Sequence, residues 1–172
     1  HILGSAIIEL WVKEKGETVK LVFSGDLGNK DMPIMKNPSL IDEADYLIME
    51  TTYGNKTHDN AKNNILFLLD IIINSIENGG NIVIPSFAVG RTQEILYMLN
   101  MMKESEFSKI KSIPVYVDSP LAINATNVFL NNQDLFDDET KSLIKMGDNP
   151  FEFPNLVFTK TAEESKAINF HE

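Results

Sequence analysis

The sequence predicts an α/β fold with a mostly parallel sheet, and three observations support this. After about residue 55, helical and strand-like patterns alternate with short connections, which is typical of doubly wound domains. Two apolar runs, 81–84 and 113–117, each lead directly into a turn and then a helix. Before residue 51 the chain is instead rich in strand patterns, so a boundary between two parts is expected at 51–56.

Three strands are expected in the first part. Residues 2–12 and 19–23 carry apolar side chains as strands do, and the polar segment 13–18 with its Gly16 fits a hairpin turn between them. Residues 44–50 form the third predicted strand, which has an acid at its carboxyl end. The first part is therefore expected to resemble a meander.

The second part should begin with a long helix over 59–78, because its isoleucines and leucines recur at helical spacing. Gly79 and Gly80 then end that helix. The run 81–84 is apolar and β-branched, which predicts a buried parallel strand closed by Pro85.

Helices and strands continue to alternate toward the end of the sequence. The predicted elements are a helix from Arg91, a strand at 113–117, a helix to about Asn131, a short helix at 134–146, a strand at 156–158 and a helix at 161–168 that starts with a capping box. We therefore expect helices packed on a parallel sheet.

The turn between Pro85 and Arg91 is a candidate anion site. A strand end meets a helix start there, so backbone N–H groups, the positive end of the helix dipole and the Arg91 guanidinium converge. Phosphate is the anion that fits such a site best. An ordinary strand-to-helix connection, in which Gly90 only permits close packing, explains the turn alone equally well.

Composition limits the class of protein. The 172 residues are 43% hydrophobic, as in globular proteins, and contain no run that is long and apolar enough to cross a membrane. The sequence has no cysteine, so disulfides and thiolate metal sites are excluded and a cytoplasmic location is expected. The net charge of -10 argues against binding of nucleic acid over the whole surface. It is compatible with a local site whose positive charge comes from side chains or from bound metal ions.

Two residues near strand ends could bind a metal ion. His1 precedes one apolar run and Asp26 follows another in a Gly-flanked turn, and an imidazole with a carboxylate is a common pair of zinc ligands. A frayed histidine and an ordinary turn aspartate explain the same spacing. His58 is expected at the surface, and no motif surrounds His171.

Five segments, taken in order, resemble the β-CASP branch of the metallo-β-lactamase superfamily. They lie at residues 1–6, 24–28, 50–54, 85–94 and 118–122. Within that branch they are most similar to the RNA-processing group, which includes the endonuclease subunit of the cleavage and polyadenylation specificity factor and its bacterial and archaeal relatives. The resemblance implies the C-terminal part of a metallo-β-lactamase sheet over 1–54 and an incomplete, Rossmann-like αβα β-CASP domain over 55–172.

The family resemblance also implies a centre of two zinc ions. His1 matches a histidine that binds one zinc, and Asp26 matches the carboxylate that bridges both. In intact family members the metals generate hydroxide and clamp the scissile phosphate of RNA. Glu50 matches the acid that hydrogen-bonds a catalytic histidine further along the chain and so orients it. A solvated strand end is the alternative interpretation of Glu50.

An RNA channel is implied as well. Ser86, Phe87, Gly90 and Arg91 match the turn that lines it, with single-stranded RNA as the partner. Phe87 could stack on a base or pack in the core. Ser119, at the second strand-to-helix turn, is a candidate for a second phosphate contact and equally for a helix N-cap.

The sequence departs from the family in one large respect. The His-x-His-x-Asp-His cluster and the later β-CASP histidines are absent, which leaves His1 and Asp26 as candidate metal ligands. We therefore expect this sequence to be a piece of a longer ribonuclease and to be inactive alone. No membrane partner is expected, and the intact enzyme could form a homodimer. A non-catalytic αβα module that binds nucleotide or RNA, and a DNA-directed β-CASP nuclease, are the alternatives.

Overall fold

The structure, a computed structural model, describes residues 1–57, 61–104 and 108–170 and confirms the mixed α/β class. Its elements are β1 (Ile8–Glu14), β2 (Glu17–Phe23), β3 (Tyr46–Ile48), α1 (Ala61–Glu77), α2 (Arg91–Glu104), α3 (Ser108–Lys111), β4 (Val115–Val117), α4 (Pro120–Leu130), α5 (Asp138–Lys145), β5 (Leu156–Phe158) and α6 (Ala162–Ala167). His58, His171 and the predicted start of the first helix lie outside the described residues. Within the described ranges no helix combines the length and the apolar character needed to cross a membrane.

β1 and β2 form the predicted hairpin, paired antiparallel over their full length. The turn residues Lys15 and Gly16 both have positive φ (50° and 88°), which matches the twist of an antiparallel pair. β3 pairs with β2 in parallel, not antiparallel as in the expected meander, so the carboxyl ends of these two strands lie at the same edge of the sheet. This pairing places the turn that carries Asp26 beside Glu50.

The second part is built on β4 and β5, which pair in parallel as predicted. Its core centres on the buried rings of Phe129, Phe136 and Phe151, whose centroids lie 6.1 to 6.3 Å apart. Ile34, from the first part, is buried in the same cluster, and its carbonyl accepts a hydrogen bond from the backbone nitrogen of Asp137 at 2.8 Å. The segment around Ile34 therefore anchors the first part of the chain to this core.

The run 81–84 is the main correction to the predicted fold. No strand is formed there, and within the described residues β4 and β5 pair only with each other. Val83 is 86% exposed, so the predicted burial is also wrong. Apolar, β-branched composition favours an extended and buried backbone, but a strand also needs a neighbouring strand to complete its hydrogen bonds.

Helix ends follow local sequence closely. Gly79, at φ 68°, and Gly80 end α1 with backbone hydrogen bonds back to its last turn, as the two glycines predict. The predicted capping box at the start of α6 is confirmed, because the Thr161 side chain accepts from the backbone of Glu164 and the Glu164 carboxylate accepts from the backbone of Thr161.

The predicted helix over 134–146 is divided in two. A short 3-10 turn ends before Phe136, whose extended backbone (φ -70°, ψ 157°) accompanies the burial of its ring in the core. Asp137 then caps a new helix, α5, by accepting from the backbone nitrogen of Thr140 at 2.7 Å. In the first sheet, residues 3 and 4 form a turn, so β1 starts at Ile8 rather than at residue 2.

Candidate functional site

The turn after β2 carries Asp26 and is fixed by the neighbouring strand. Its first residue, Ser24, is buried, and the Ser24 backbone nitrogen donates to the carbonyl of Ile48 in β3 at 2.9 Å. The Ser24 hydroxyl donates to the Gly25 carbonyl (2.7 Å) and accepts from the backbone nitrogen of Glu50 (3.1 Å). Asp26 itself is exposed. The backbone of the turn is therefore held in place while its carboxylate remains open to solvent.

Glu50 closes the same turn from the other side. Its Oε1 accepts from the backbone nitrogen of Leu27 at 2.6 Å. This bond, helped by others from the Thr52 side chain and the Gly28 backbone, outweighs the opposing effect of burial and holds the pKa of Glu50 below its ordinary value. The ionised carboxylate thus clamps the residues next to Asp26. Its predicted role in orienting a catalytic histidine stays a prediction.

His1 lies directly on this turn. Its backbone nitrogen donates to the Leu27 carbonyl at 3.1 Å. Gly28, at φ 72°, allows the close approach, since a Cβ there would come within 2.7 Å of the His1 Cα. The fold therefore brings His1 beside the turn that carries Asp26.

An imidazole and a carboxylate suit zinc chemically, but protein zinc sites use at least three protein ligands. Among residues 1–57, 61–104 and 108–170, no group of three or more histidine, cysteine, aspartate or glutamate side chains is placed to hold a metal ion. His1 and Asp26 therefore fit as part of a donor set, and the described residues do not complete one.

Side chains of α2 tie down the turn that precedes it. Gly90, at φ 83°, donates its N–H to Oε1 of Gln93 at 2.7 Å. The Thr92 hydroxyl donates to the Phe87 carbonyl at 2.8 Å, so the Ser86 hydroxyl must be the donor in the 2.8 Å bond that joins it to Thr92. Two groups predicted to face phosphate, the Gly90 N–H and the Ser86 hydroxyl, are therefore engaged within the turn.

Two other side chains of the same turn are open to solvent. Phe87 is 82% exposed, so packing in the core of the described residues is not its role. The Arg91 side chain is 58% exposed, and its Nη1 donates to Oε2 of Glu94 at 2.7 Å. Burial raises the pKa of Glu94, and the neighbouring guanidinium opposes that rise. The pair engages one nitrogen of the guanidinium, and more than half of the Arg91 side chain stays open to solvent.

The turn that carries Asp26 (residues 24–28) and the turn before α2 (residues 85–91) are called the Asp26 turn and the Arg91 turn below. The two turns meet through Ile2, the residue after His1. A Cβ on Gly90 would lie 2.8 Å from Cγ2 of Ile2, so Gly90 is packed against that side chain. His1 in turn lies on the residues that follow Asp26. The predicted metal ligands and the predicted RNA-contacting turn therefore occupy adjacent segments of the folded chain.

The second strand-to-helix turn is built around a helix cap. Ser119 is the N-cap of α4, and its hydroxyl accepts from the backbone nitrogen of Ala122 at 3.2 Å. The N-cap interpretation is confirmed, and a phosphate contact by Ser119 stays a prediction. Asp118, just before it, accepts from the hydroxyls of Thr159 (2.6 Å) and Ser165 (2.9 Å) and so joins the end of β4 to α6.

Sequence reasoning missed the buried polar pair Gln93 and Thr126, whose side chains are joined by a 2.9 Å hydrogen bond. Gln93 was visible only as part of the 85–94 motif. A polar residue among apolar ones on the inner face of α2 was the one signal that could have singled it out.

Comparison with known proteins adds independent support. Residues 92–172 match the Beta-Casp domain family. The chain is 35% identical over 169 residues to "Ribonuclease TTHA0252" of Thermus thermophilus and 36% identical over 172 residues to an "RNase J-like protein" of Methanocaldococcus jannaschii, with 98% of the chain covered in both cases. It is 27% identical over 168 residues to "Endoribonuclease YSH1" of Kluyveromyces lactis, with 95% of the chain covered.

These relatives are much longer than the chain, which spans 37%, 38% and 22% of their respective lengths. The similarity nevertheless extends over nearly all of the 172 residues, beyond the matched domain. It therefore includes the Asp26 turn as well as the Arg91 turn. Together with the α/β architecture, these matches show that the chain carries part of a Beta-Casp domain, and they are consistent with the β-CASP branch of the metallo-β-lactamase superfamily and its RNA-processing group.

Proposed function

We propose that the chain is part of a zinc-dependent ribonuclease that hydrolyses phosphodiester bonds in single-stranded RNA. The observation that carries the proposal is the adjacency of the Asp26 turn and the Arg91 turn, joined by the segment of His1 and Ile2. A scissile phosphate needs metal ligands and cationic or aromatic substrate contacts within one site. The ribonuclease names of the relatives favour RNA as the substrate.

Each exposed group has a distinct role in this proposal. His1 and Asp26 supply an imidazole and a carboxylate to a centre of two zinc ions, with the remaining ligands coming from outside the described residues. The zinc ions, once bound, supply Lewis-acid activation of water. Arg91 contacts a backbone phosphate, and Phe87 stacks on a base. Glu50 holds the Asp26 turn in place through its bond to the turn backbone.

The test is to replace Asp26 by asparagine in the intact protein. Asparagine keeps the size of the side chain but removes its negative charge, so bound zinc should fall and RNA cleavage should be lost, while RNA binding persists. Zinc content is measured by elemental analysis, and cleavage and binding are measured on one labelled single-stranded RNA. The same oligonucleotide made as DNA should be cut more slowly.

Asp42→Asn is the matched control, because Asp42 is also an exposed aspartate of the first part. It should leave zinc content and cleavage unchanged. Full cleavage by Asp26→Asn would contradict the proposal. RNA binding by an intact protein that neither holds zinc nor cuts RNA would instead favour a non-catalytic RNA-binding module, and faster cleavage of DNA would favour a DNA-directed nuclease.

A further inference from the structure

Gln93 is a fully buried amide at the start of α2, with 0% of its surface exposed. Its Oε1 accepts from the Gly90 N–H at 2.7 Å, and its Nε2 donates to the Ala88 carbonyl at 3.2 Å and to the Thr126 hydroxyl at 2.9 Å. Both amide hydrogens and the amide oxygen are thus used. Because Gly90 offers only a donor and Ala88 only an acceptor at these contacts, the partners fix the orientation of the amide.

Thr126 extends this network into α4. The Thr126 hydroxyl donates its own hydrogen to the Ala122 carbonyl at 2.8 Å, so it can only accept from Gln93. A side chain at position 93 must therefore accept from Gly90 and donate to Thr126 at the same time. Glutamate lacks the donor and methionine lacks both groups, so among side chains of this length glutamine alone meets both needs.

The network fixes the backbone that presents the exposed groups of the turn. Gln93 binds the residues on both sides of Val89, namely Ala88 and Gly90. Thr92 binds the Phe87 carbonyl twice, through its backbone nitrogen at 3.2 Å and its hydroxyl at 2.8 Å. Four hydrogen bonds from two adjacent side chains and one backbone group thus hold a turn whose Phe87 side chain stands in solvent.

We propose that Gln93 is a positioning residue for RNA: it fixes the direction in which the turn presents Phe87 and Arg91, and it ties that turn to α4. This rests on the proposed function, since single-stranded RNA is the ligand. An exposed aromatic ring gains more affinity from stacking when its backbone is already ordered, because ordering the backbone on binding would cost conformational entropy. The buried amide provides that order without contacting the ligand.

The experiment uses Gln93→Met in the intact protein, because methionine keeps the length of the side chain and removes its hydrogen bonds. Two readouts are needed. Amide hydrogen exchange of peptides covering residues 86–93, measured without RNA, should become faster. Affinity for a short single-stranded RNA should fall by about tenfold, a part of what one stacked base contributes. In a Phe87→Ala background the same substitution should cause a smaller further loss of affinity, since of the two positioned side chains only Arg91 remains.

One further pair of variants, at Thr126, and a control at Thr140 separate positioning from general stability. Thr126→Val removes the acceptor for Gln93 and should lower RNA affinity in the same direction, while Thr126→Ser restores it. Thr140→Val removes another buried threonine hydroxyl, one without a hydrogen-bond partner among the described residues, and should leave RNA affinity unchanged. If Gln93→Met fails to fold by circular dichroism, the Thr126 pair decides the question.

The inference is overturned if exchange at 86–93 is unchanged in Gln93→Met, or if the loss of affinity is the same with and without Phe87. A Thr140→Val loss as large as that of Thr126→Val would also overturn it, because general destabilisation would then explain both. An intact protein that binds no RNA would overturn the proposed function and, with it, the RNA role of Gln93. Faster exchange with normal RNA affinity would overturn the inference alone.

Discussion

Replacing Arg91 by alanine in the intact protein should weaken binding of single-stranded RNA by about 1.5–3 kcal/mol, the usual contribution of a hydrogen bond to a charged group. Because the side chain is 58% exposed, the lower end of that range is expected. The substitution also breaks the ion pair with Glu94, but a helical pair at this spacing contributes only about 0.2–0.5 kcal/mol to stability. The loss of affinity should therefore be several times larger than the loss of stability.

The assay is a set of RNA-binding isotherms at several salt concentrations. One phosphate fewer should reduce the slope of log affinity against log salt by about 0.7 for a single strand. Arg91→Lys should recover part of the affinity, since an ammonium keeps the charge but not the planar fork. Glu94→Gln, which frees the guanidinium, should not weaken binding. Lys13→Ala is the matched control, because Lys13 lies at the hairpin-turn end of β1, away from the strand end that leads to Asp26.

An unchanged salt slope in a folded Arg91→Ala protein would refute this reasoning. The turn would then be a structural connection, and Arg91 a surface residue whose one role is its pair with Glu94. Equal losses of affinity in Arg91→Ala and Lys13→Ala would refute it as well, because they would indicate a diffuse electrostatic effect rather than a contact.

Three further substitutions test the supports of the site. Ser119→Ala removes an N-cap and should lower the free energy of unfolding by about 1 kcal/mol, measured by urea titration, and an unchanged midpoint would contradict the cap. Gly90→Ala should lower the free energy of unfolding by about 1–2 kcal/mol, because φ is 83° and the new Cβ would crowd Ile2. A loss no larger than that of a glycine-to-alanine substitution at an unstrained surface position would contradict this account. Burial raises the pKa of Tyr97 to about 12, so folding favours the neutral phenol. Its contribution to the free energy of unfolding is fully present below pH 10, and up to about 2–3 kcal/mol is lost as the pH rises from 10 to 12. In Tyr97→Phe the urea midpoint should fall less between pH 10 and 12 than in the unsubstituted protein, whereas the exposed control Tyr46→Phe should not reduce that fall.

Local sequence signals predicted the parts of the fold that depend on local hydrogen bonds. The Lys15-Gly16 hairpin, the Gly79-Gly80 helix end and the Thr161 capping box all formed as expected. In each case the residues that specify the structure are within a few positions of those that adopt it. The same holds for Ser119, whose cap was one of its two predicted roles.

Features that depend on distant partners could not be predicted in this way. The run 81–84 has the composition of a strand, but composition does not supply a strand to pair with. The predicted phosphate donors of the turn proved to be bonded to Gln93 and Thr92, because whether an N–H or a hydroxyl is free depends on which side chains fold over it. The link between Gln93 and Thr126 spans 33 residues, and neither local pattern shows which partner the buried amide would take.

The candidate site is held together mainly by side chains that bond to backbone, and this explains why it is both open and ordered. Glu50 binds the backbone beside Asp26, and Gln93 binds the backbone on both sides of Val89. The side chains that would meet metal or RNA, Asp26 and Phe87 among them, are thereby left exposed on turns whose backbone is hydrogen-bonded by neighbouring side chains. Were these turns held by packing of their own side chains, the same groups would be buried and unable to meet a ligand. A site of this kind should lose ligand affinity when a supporting carboxylate or amide is removed, even though that support never touches the ligand.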